Sequence, residues 1–239
     1  FLKIFKKQKF INQFKYTEMD DVQFIIIAAT PRSGSTTMQR IVSTTPDANI
    51  NGENANFIGL LLRAYKSLKK TEEMLQMSRD VKFSRKAKYF KHPSYKPCWE
   101  NNFVFKEFEY NLKKIIYDFL YVKYKKILGF KEIRFLKLDL LDEFIELFPN
   151  TKIILHCKED TYSQTHSESK ANWLKPEDEE ILKRRNAEMK AKQLSNPVNY
   201  YYSSFENMFD VKEMEKLFNF LGYEIDKVKY TEIINDDRG

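Results

Sequence analysis

Residues 24–29, Phe-Ile-Ile-Ile-Ala-Ala, form an uncharged apolar run, and the next eight residues are Thr30-Pro31-Arg32-Ser33-Gly34-Ser35-Thr36-Thr37. A run this short and continuous reads as a strand buried on both faces, the situation of a strand inside a parallel sheet. Pro31 and Gly34 break it, and Met38, Ile41 and Val42 fall on one face of a helix that begins at Ser35 and runs to about Ser43. Strand, tight turn and helix in that order place successive backbone N–H groups at the positive end of a helix, which is an anion site. Gly34 lets the backbone come close to the anion. Arg32 supplies a fixed positive fork, and the hydroxyls of Ser33, Ser35, Thr36 and Thr37 supply donors.

The turn is not the nucleoside-triphosphatase loop, G-x-x-x-x-G-K-[ST]. With Gly34 on the second glycine of that pattern, Ala29 falls on the first and Ser35 on the lysine. The cation has moved to Arg32, which disfavours ordinary ATP and Mg²⁺ chemistry.

Further along the chain, strands alternate with helices, so the fold class is α/β with a mostly parallel sheet. A second strand is expected over Ala48–Asn51, extended structure over 127–135, a buried strand over 152–157 and another strand over 198–203. Helices are expected over 56–70, from Phe103 to about Lys126, over 137–148, from the Pro176 to Glu180 stretch to about Leu194, and last from Val211 to a stop at Gly222. Residues 80–101 read as irregular. The 239 residues fit one domain, 1–239, with 54–126 as an insert.

Composition adds exclusions. The net charge of +7 is spread along the chain, with only short runs such as Lys123-Tyr124-Lys125-Lys126, so an anionic ligand fits and a nucleic-acid partner is not expected. Two cysteines, Cys98 and Cys157, make no disulfide framework and suit a reducing, cytoplasmic compartment. No apolar run approaches a membrane span, and residues 1–7 lack the long apolar core of a signal peptide. No Cys/His cluster has metal-ligand spacing, so no metal is expected.

The loop resembles that of the sulfotransferase superfamily that uses 3′-phosphoadenosine 5′-phosphosulfate (PAPS), whose 5′-phosphosulfate loop reads T-P-[KR]-S-G-[ST]-T. The arginine is the form seen in the tyrosylprotein, carbohydrate and bacterial branches. The likeness continues through Thr45-Pro46-Asp47-Ala48-Asn49-Ile50-Asn51-Gly52-Glu53 and resumes at Phe148-Pro149-Asn150-Thr151-Lys152. That second segment is similar to the family's 3′-phosphate motif, in which an arginine and a later serine hold the phosphate. Here Lys158 stands in the arginine position and Ser167 in the serine position, with Gln164 between them. Lysine carries the charge without the bidentate fork. Gly129-Phe130-Lys131-Glu132 resembles a segment whose lysine reaches the sulfate being transferred, and Ser204-Phe205-Glu206-Asn207-Met208 resembles a structural one.

The resemblance implies a P-loop-like α/β fold with PAPS as co-substrate. Arg32, Ser33, Gly34, Ser35, Thr36, Thr37, Lys158 and Ser167 would bind the cofactor, and residues 54–126 would set the acceptor. Glu53, the acid of the family-like stretch, is the candidate general base, with Arg32 and Lys131 as charge stabilisers. His92, His156 and His166 have no counterpart in the motif. Trp173 and Phe57 are candidates for stacking on adenine or acceptor. The implied reaction moves a sulfuryl group to a hydroxyl or amine of an acceptor whose class the sequence leaves open: carbohydrate, protein tyrosine, lipid or small metabolite. Two other readings stay open, a non-catalytic PAPS- or phosphonucleotide-binding protein of the same fold and a P-loop nucleotide kinase.

Overall fold

The structure, a computed structural model, describes Met19 and residues 22–84, 105–133, 138–171 and 178–238. In chain order the elements are β1 (Gln23–Ala29), α1 (Ser35–Val42), β2 (Ala48–Asn51), α2 (Phe57–Ser84), α3 (Phe105–Leu120), β3 (Ile127–Glu132) and α4 (Leu138–Leu147). Then follow β4 (Thr151–Cys157), α5 (Thr161–Ala171), α6 (Glu179–Ser195), β5 (Tyr200–Ser204), a 3₁₀ turn (Asn207–Phe209), α7 (Val211–Leu221) and α8 (Lys227–Arg238). All five strands are parallel, in the order β2-β3-β1-β4-β5. The fold is α/β, as the strand–helix alternation requires.

β1 is central, and its side chains divide by parity. Phe24, Ile26 and Ala28 face a layer built with Ile58, Leu62 and Tyr65 of α2, Ile116 of α3 and Phe144 of α4. Ile25, Ile27 and Ala29 face the opposite layer, built with Met38, Ile41 and Val42 of α1, Leu217 and Phe218 of α7, and Tyr230 and Ile234 of α8. Both faces are covered, which is why the strand is apolar throughout rather than alternating.

Several boundaries differ from the sequence expectation. α2 runs to Ser84 instead of about residue 70. No Gly or Pro lies between Gly59 and Ser84, and Lys69-Lys70 is compatible with a helix interior as well as an end. α3 stops at Leu120, short of Lys126, because Tyr124 takes a positive φ of 69° and the N–H of Lys126 donates to the Asp47 carbonyl, turning the chain into β3. α6 begins after Asp178, whose carboxylate accepts from the Glu180 N–H, with Glu179 and Glu180 in its first turn. Gly222, at φ 89°, ends α7 as expected. α7 is not the last helix, however. α8 follows and is pinned to α1 by a 2.6 Å ion pair between Arg40 and Asp236. Its few buried apolar residues, Tyr230 and Ile234 among them, left little periodicity to read. The expectations for residues 85–104 and 134–137, and for Trp173, His92 and Cys98, lie outside the described residues.

Candidate active site

β1 ends beside β4, and the ladder continues one residue beyond it, the Thr30 N–H donating to the His156 carbonyl at 3.0 Å. The loop therefore starts at the carboxyl edge of the sheet, where ligands of open α/β folds bind. Arg32 (φ 57°) and Gly34 (φ 74°) both take left-handed backbone conformations. For Gly34 the absence of a side chain is required twice over. Its φ disfavours a Cβ, and a Cβ there would lie 2.5 Å from the Phe205 ring. Gly34 is also the N-cap of α1 and offers no side-chain cap, and no acid occupies the helix's first turn. The first-turn N–H groups of Ser35, Thr36 and Thr37 have no intrahelical acceptor, so they are available to an outside anion.

A cavity of about 550 Å³ opens over this helix end. Arg32, Gly34, Ser35, Thr36, Glu53, Lys131, Lys158 and Ser167 all line it, with Ile133 and Phe205. Residues from the first half of the chain, from β3 and from the β4–α5 connection thus converge, three cations facing one carboxylate. Lys131 is 7% exposed and donates from Nζ to Glu53 Oε1 at 2.9 Å. Asn56, just past Glu53, donates its N–H to Glu132 Oε2 at 3.0 Å, tying the stretch after β2 to the end of β3. Lys158 donates to Ser163 Oγ at 2.8 Å and lies 5.1 Å from the centroid of the Phe205 ring. Arg32 Nε donates to Ser167 Oγ at 3.0 Å.

Two loop hydroxyls sit elsewhere. Ser33 is fully buried and donates to the Thr30 carbonyl at 2.7 Å, which makes its side chain a brace of the turn. Thr37 is half-buried and is not among the cavity's lining residues. Ser167 lies in the middle of α5 rather than at its start, and the serine beside Lys158 is Ser163. Sequence reasoning missed Ser163, Phe205 and Ile133 as site residues; Phe205 carried a signal in the Ser204–Met208 segment, which read as structural only. Phe57 packs its ring 5.1 Å from Phe119, and His166 is exposed.

His156 is buried, its Nε2 lies 2.8 Å from the Ser33 carbonyl oxygen, and burial lowers its pKa from 6.5 to about 4. It is therefore a neutral imidazole, and because a carbonyl only accepts, Nε2 carries the proton. Burial pushes the Cys157 thiol up to about 12, so this cysteine is no nucleophile. Among the described residues no group of three or more His, Cys, Asp or Glu side chains is placed to hold a metal ion, and no helix is long and apolar enough to cross a membrane.

Comparison with known proteins agrees with this architecture. The sulfotransferase domain of the Synechococcus PCC 7002 olefin synthase is similar with a TM-score of 0.53 at 16% identity, covering 87% of this chain and 75% of that one. A sulfotransferase from Alicyclobacillus acidocaldarius is similar at a TM-score of 0.45 and 13% identity, over 86% of this chain and 82% of that one. At these identities the likeness is one of fold, and it is the first of the two that carries it. A search of curated proteins gave no match. In sequence, residues 24–227 match the sulfotransferase family, a span that includes the loop, Glu53, Lys131, Lys158 and Ser167. By that match, over most of its length, the chain belongs to the sulfotransferase family.

Proposed function

We propose that the cavity binds PAPS and that the protein transfers its sulfuryl group to a hydroxyl or amine acceptor, with Glu53 as general base. The observation that carries this reading is the 2.9 Å contact between Lys131 and Glu53 on the wall of a cavity floored by an uncapped helix N-terminus. A proton acceptor, a cation and an anion cradle meet in one place.

The residues fit such a ligand. The N–H groups opening α1, the Ser35 and Thr36 hydroxyls and Arg32 would hold the 5′-phosphosulfate. Lys158 would hold the 3′-phosphate, supported by its place just past β4 at the sheet's carboxyl edge and by Ser163, which orients it. Bound PAPS supplies an activated sulfuryl group whose transfer forms the acceptor O–S or N–S bond as the bond to the 5′-phosphate breaks. Glu53 takes the acceptor's proton. Lys131 and Arg32 stabilise charge on the transferring group and on the departing phosphate, as cations do in phosphoryl transfer, its close chemical relative. The acceptor class is left unassigned.

The test has two stages. Thermal-shift titration should show that 3′-phosphoadenosine 5′-phosphate stabilises the protein more than ATP or ADP does. Labelled PAPS should then give up its sulfuryl group to a member of an acceptor panel at the same rate in EDTA as in Mg²⁺. Preference for ATP with a strict Mg²⁺ requirement would overturn the reading in favour of a kinase. Tight binding with no transfer to any acceptor class would favour a non-catalytic binding protein.

A further inference from the structure

The phosphate loop is held from behind. Gln164 Nε2, from α5, donates to the Pro31 carbonyl at 2.6 Å, and His156 Nε2, from β4, donates to the Ser33 carbonyl at 2.8 Å. Ser33 Oγ donates to the Thr30 carbonyl. Ser33, His156 and Gln164 are each fully buried. Three carbonyls of one turn are thus engaged on its core side. In a planar trans peptide the carbonyl and the following N–H point in opposite directions. Drawing the Pro31 and Ser33 carbonyls back therefore aims the N–H groups of Arg32 and Gly34 the other way, and both of these residues line the cavity.

Neither side chain is there for economy of packing. Among the described residues, His156 Nδ1 and Gln164 Oε1 are buried with no hydrogen-bond partner, a condition that an apolar residue of similar volume would avoid. A buried polar group that spends one of its two polar atoms on a loop carbonyl and leaves the other unsatisfied points to a role for the carbonyl contact itself. Both clamps also come from the segment that carries Lys158 and Ser167, so one stretch of chain, 156–167, shapes the loop and contributes to the opposite wall.

We propose that His156 and Gln164 are positioning residues for catalysis: they fix the loop carbonyls so that the Arg32 and Gly34 N–H groups are preorganised for the 5′-phosphosulfate. This rests on the reading of the cavity as a PAPS site. It goes beyond that reading by giving a task to two residues that touch no ligand.

The test uses the full chain and three variants, His156→Leu, Gln164→Met and His156→Gln, the last keeping an amide N–H near the Nε2 position. Calorimetry is run with 3′-phosphoadenosine 5′-phosphate and with adenosine 3′-phosphate, which lacks the group the loop would hold, and each melting temperature is recorded. His156→Leu and Gln164→Met are expected to weaken the bisphosphate about 5- to 30-fold while adenosine 3′-phosphate changes less than about twofold, the first being the range of one lost buried hydrogen bond. His156→Gln is expected to stay near wild type. Equal losses for both nucleotides, no loss for either, or a His156→Gln as weak as His156→Leu would overturn the positioning role. Should His156→Leu not fold, Gln164→Met alone decides by the same ratio. A wild-type protein that binds neither nucleotide would overturn the PAPS assignment, a result distinct from the variant outcomes.

Discussion

Glu53 and Lys131 form a pair whose members have separable tasks under the proposed mechanism. Glu53→Gln is expected to leave 3′-phosphoadenosine 5′-phosphate binding nearly intact and to lower turnover about 10²- to 10⁴-fold, the range for a lost general base. Single-turnover kinetics with saturating labelled PAPS would check it, and near-normal turnover would remove Glu53 from the role. Lys158 has a different signature. Lys158→Ala should weaken 3′-phosphoadenosine 5′-phosphate about 10- to 150-fold, as for a lost charge-assisted hydrogen bond, and leave adenosine 5′-phosphate unaffected, whereas Lys158→Arg should retain or improve binding. Calorimetry on both nucleotides decides, and an equal loss for both would mean that the lysine acts through the fold. That Glu53, Lys131 and Lys158 would meet in one cavity was legible in the sequence, because each stands at a motif spacing. Ser163 and Phe205 were not, because their roles come from contacts across the turn of a helix or between distant strands' ends. His156 was read only as a histidine without a motif, since nothing in sequence shows that β4 carries it under the loop. Its burial has a pH consequence. The folded-state pKa, near 4, lies below the unfolded value of 6.5, so between these values the unfolded chain binds the extra proton. Stability should be fully present above pH 6.5 and fall as pH drops toward 4, by about 3 kcal/mol for this group. Urea midpoints across that range, compared with His156→Gln, would show the difference.

At the scale of elements, the β1–loop–α1 unit is the part most completely specified by local sequence. An apolar run, a proline, a glycine and an amphipathic helix face all agree, and the structure places strand and helix within a residue or two of the expectation. α2 and α8 were read poorly for opposite reasons. α2 lacks a glycine or proline to mark its end, so its length was not legible; α8 has too small a buried face to show a period and lies against α1. The tightest constraint in the loop is the fit between Gly34 and Phe205. Gly34→Ala is expected to destabilise the protein by about 2 kcal/mol or more, through the positive φ and through the ring contact together. Phe205 also packs on Phe209 and Lys158, so the contact is isolated by a double-mutant cycle. Gly34→Ala should cost less in a Phe205→Ala background than in the wild type, by denaturation midpoints of all four proteins, and no cost in that background would mean that φ strain contributes nothing.

For the molecule as a whole, both layers of the core converge on β1, and the parallel order of the sheet was implied by strand–helix alternation. The order β2-β3-β1-β4-β5 was not legible, because sequence periodicity says which strands are buried but not which are neighbours. That order also has a consequence for how the chain reaches its native state. Gln23 pairs with Ile127, and Phe24 with Thr151, so β1 finds its first partners more than a hundred residues away. During synthesis it is made early and waits, six apolar residues with unmet backbone hydrogen bonds, until β3 and β4 exist. Such distant pairing makes folding slow and leaves the strand open to pairing with other copies. Refolding by dilution from urea should therefore lose yield as protein concentration rises, and Ile26→Thr, which makes the waiting strand less adhesive, should reduce the loss even while lowering the stability of whatever folds. The segment that delivers the loop to its site is also the one the nascent chain has most reason to keep hidden.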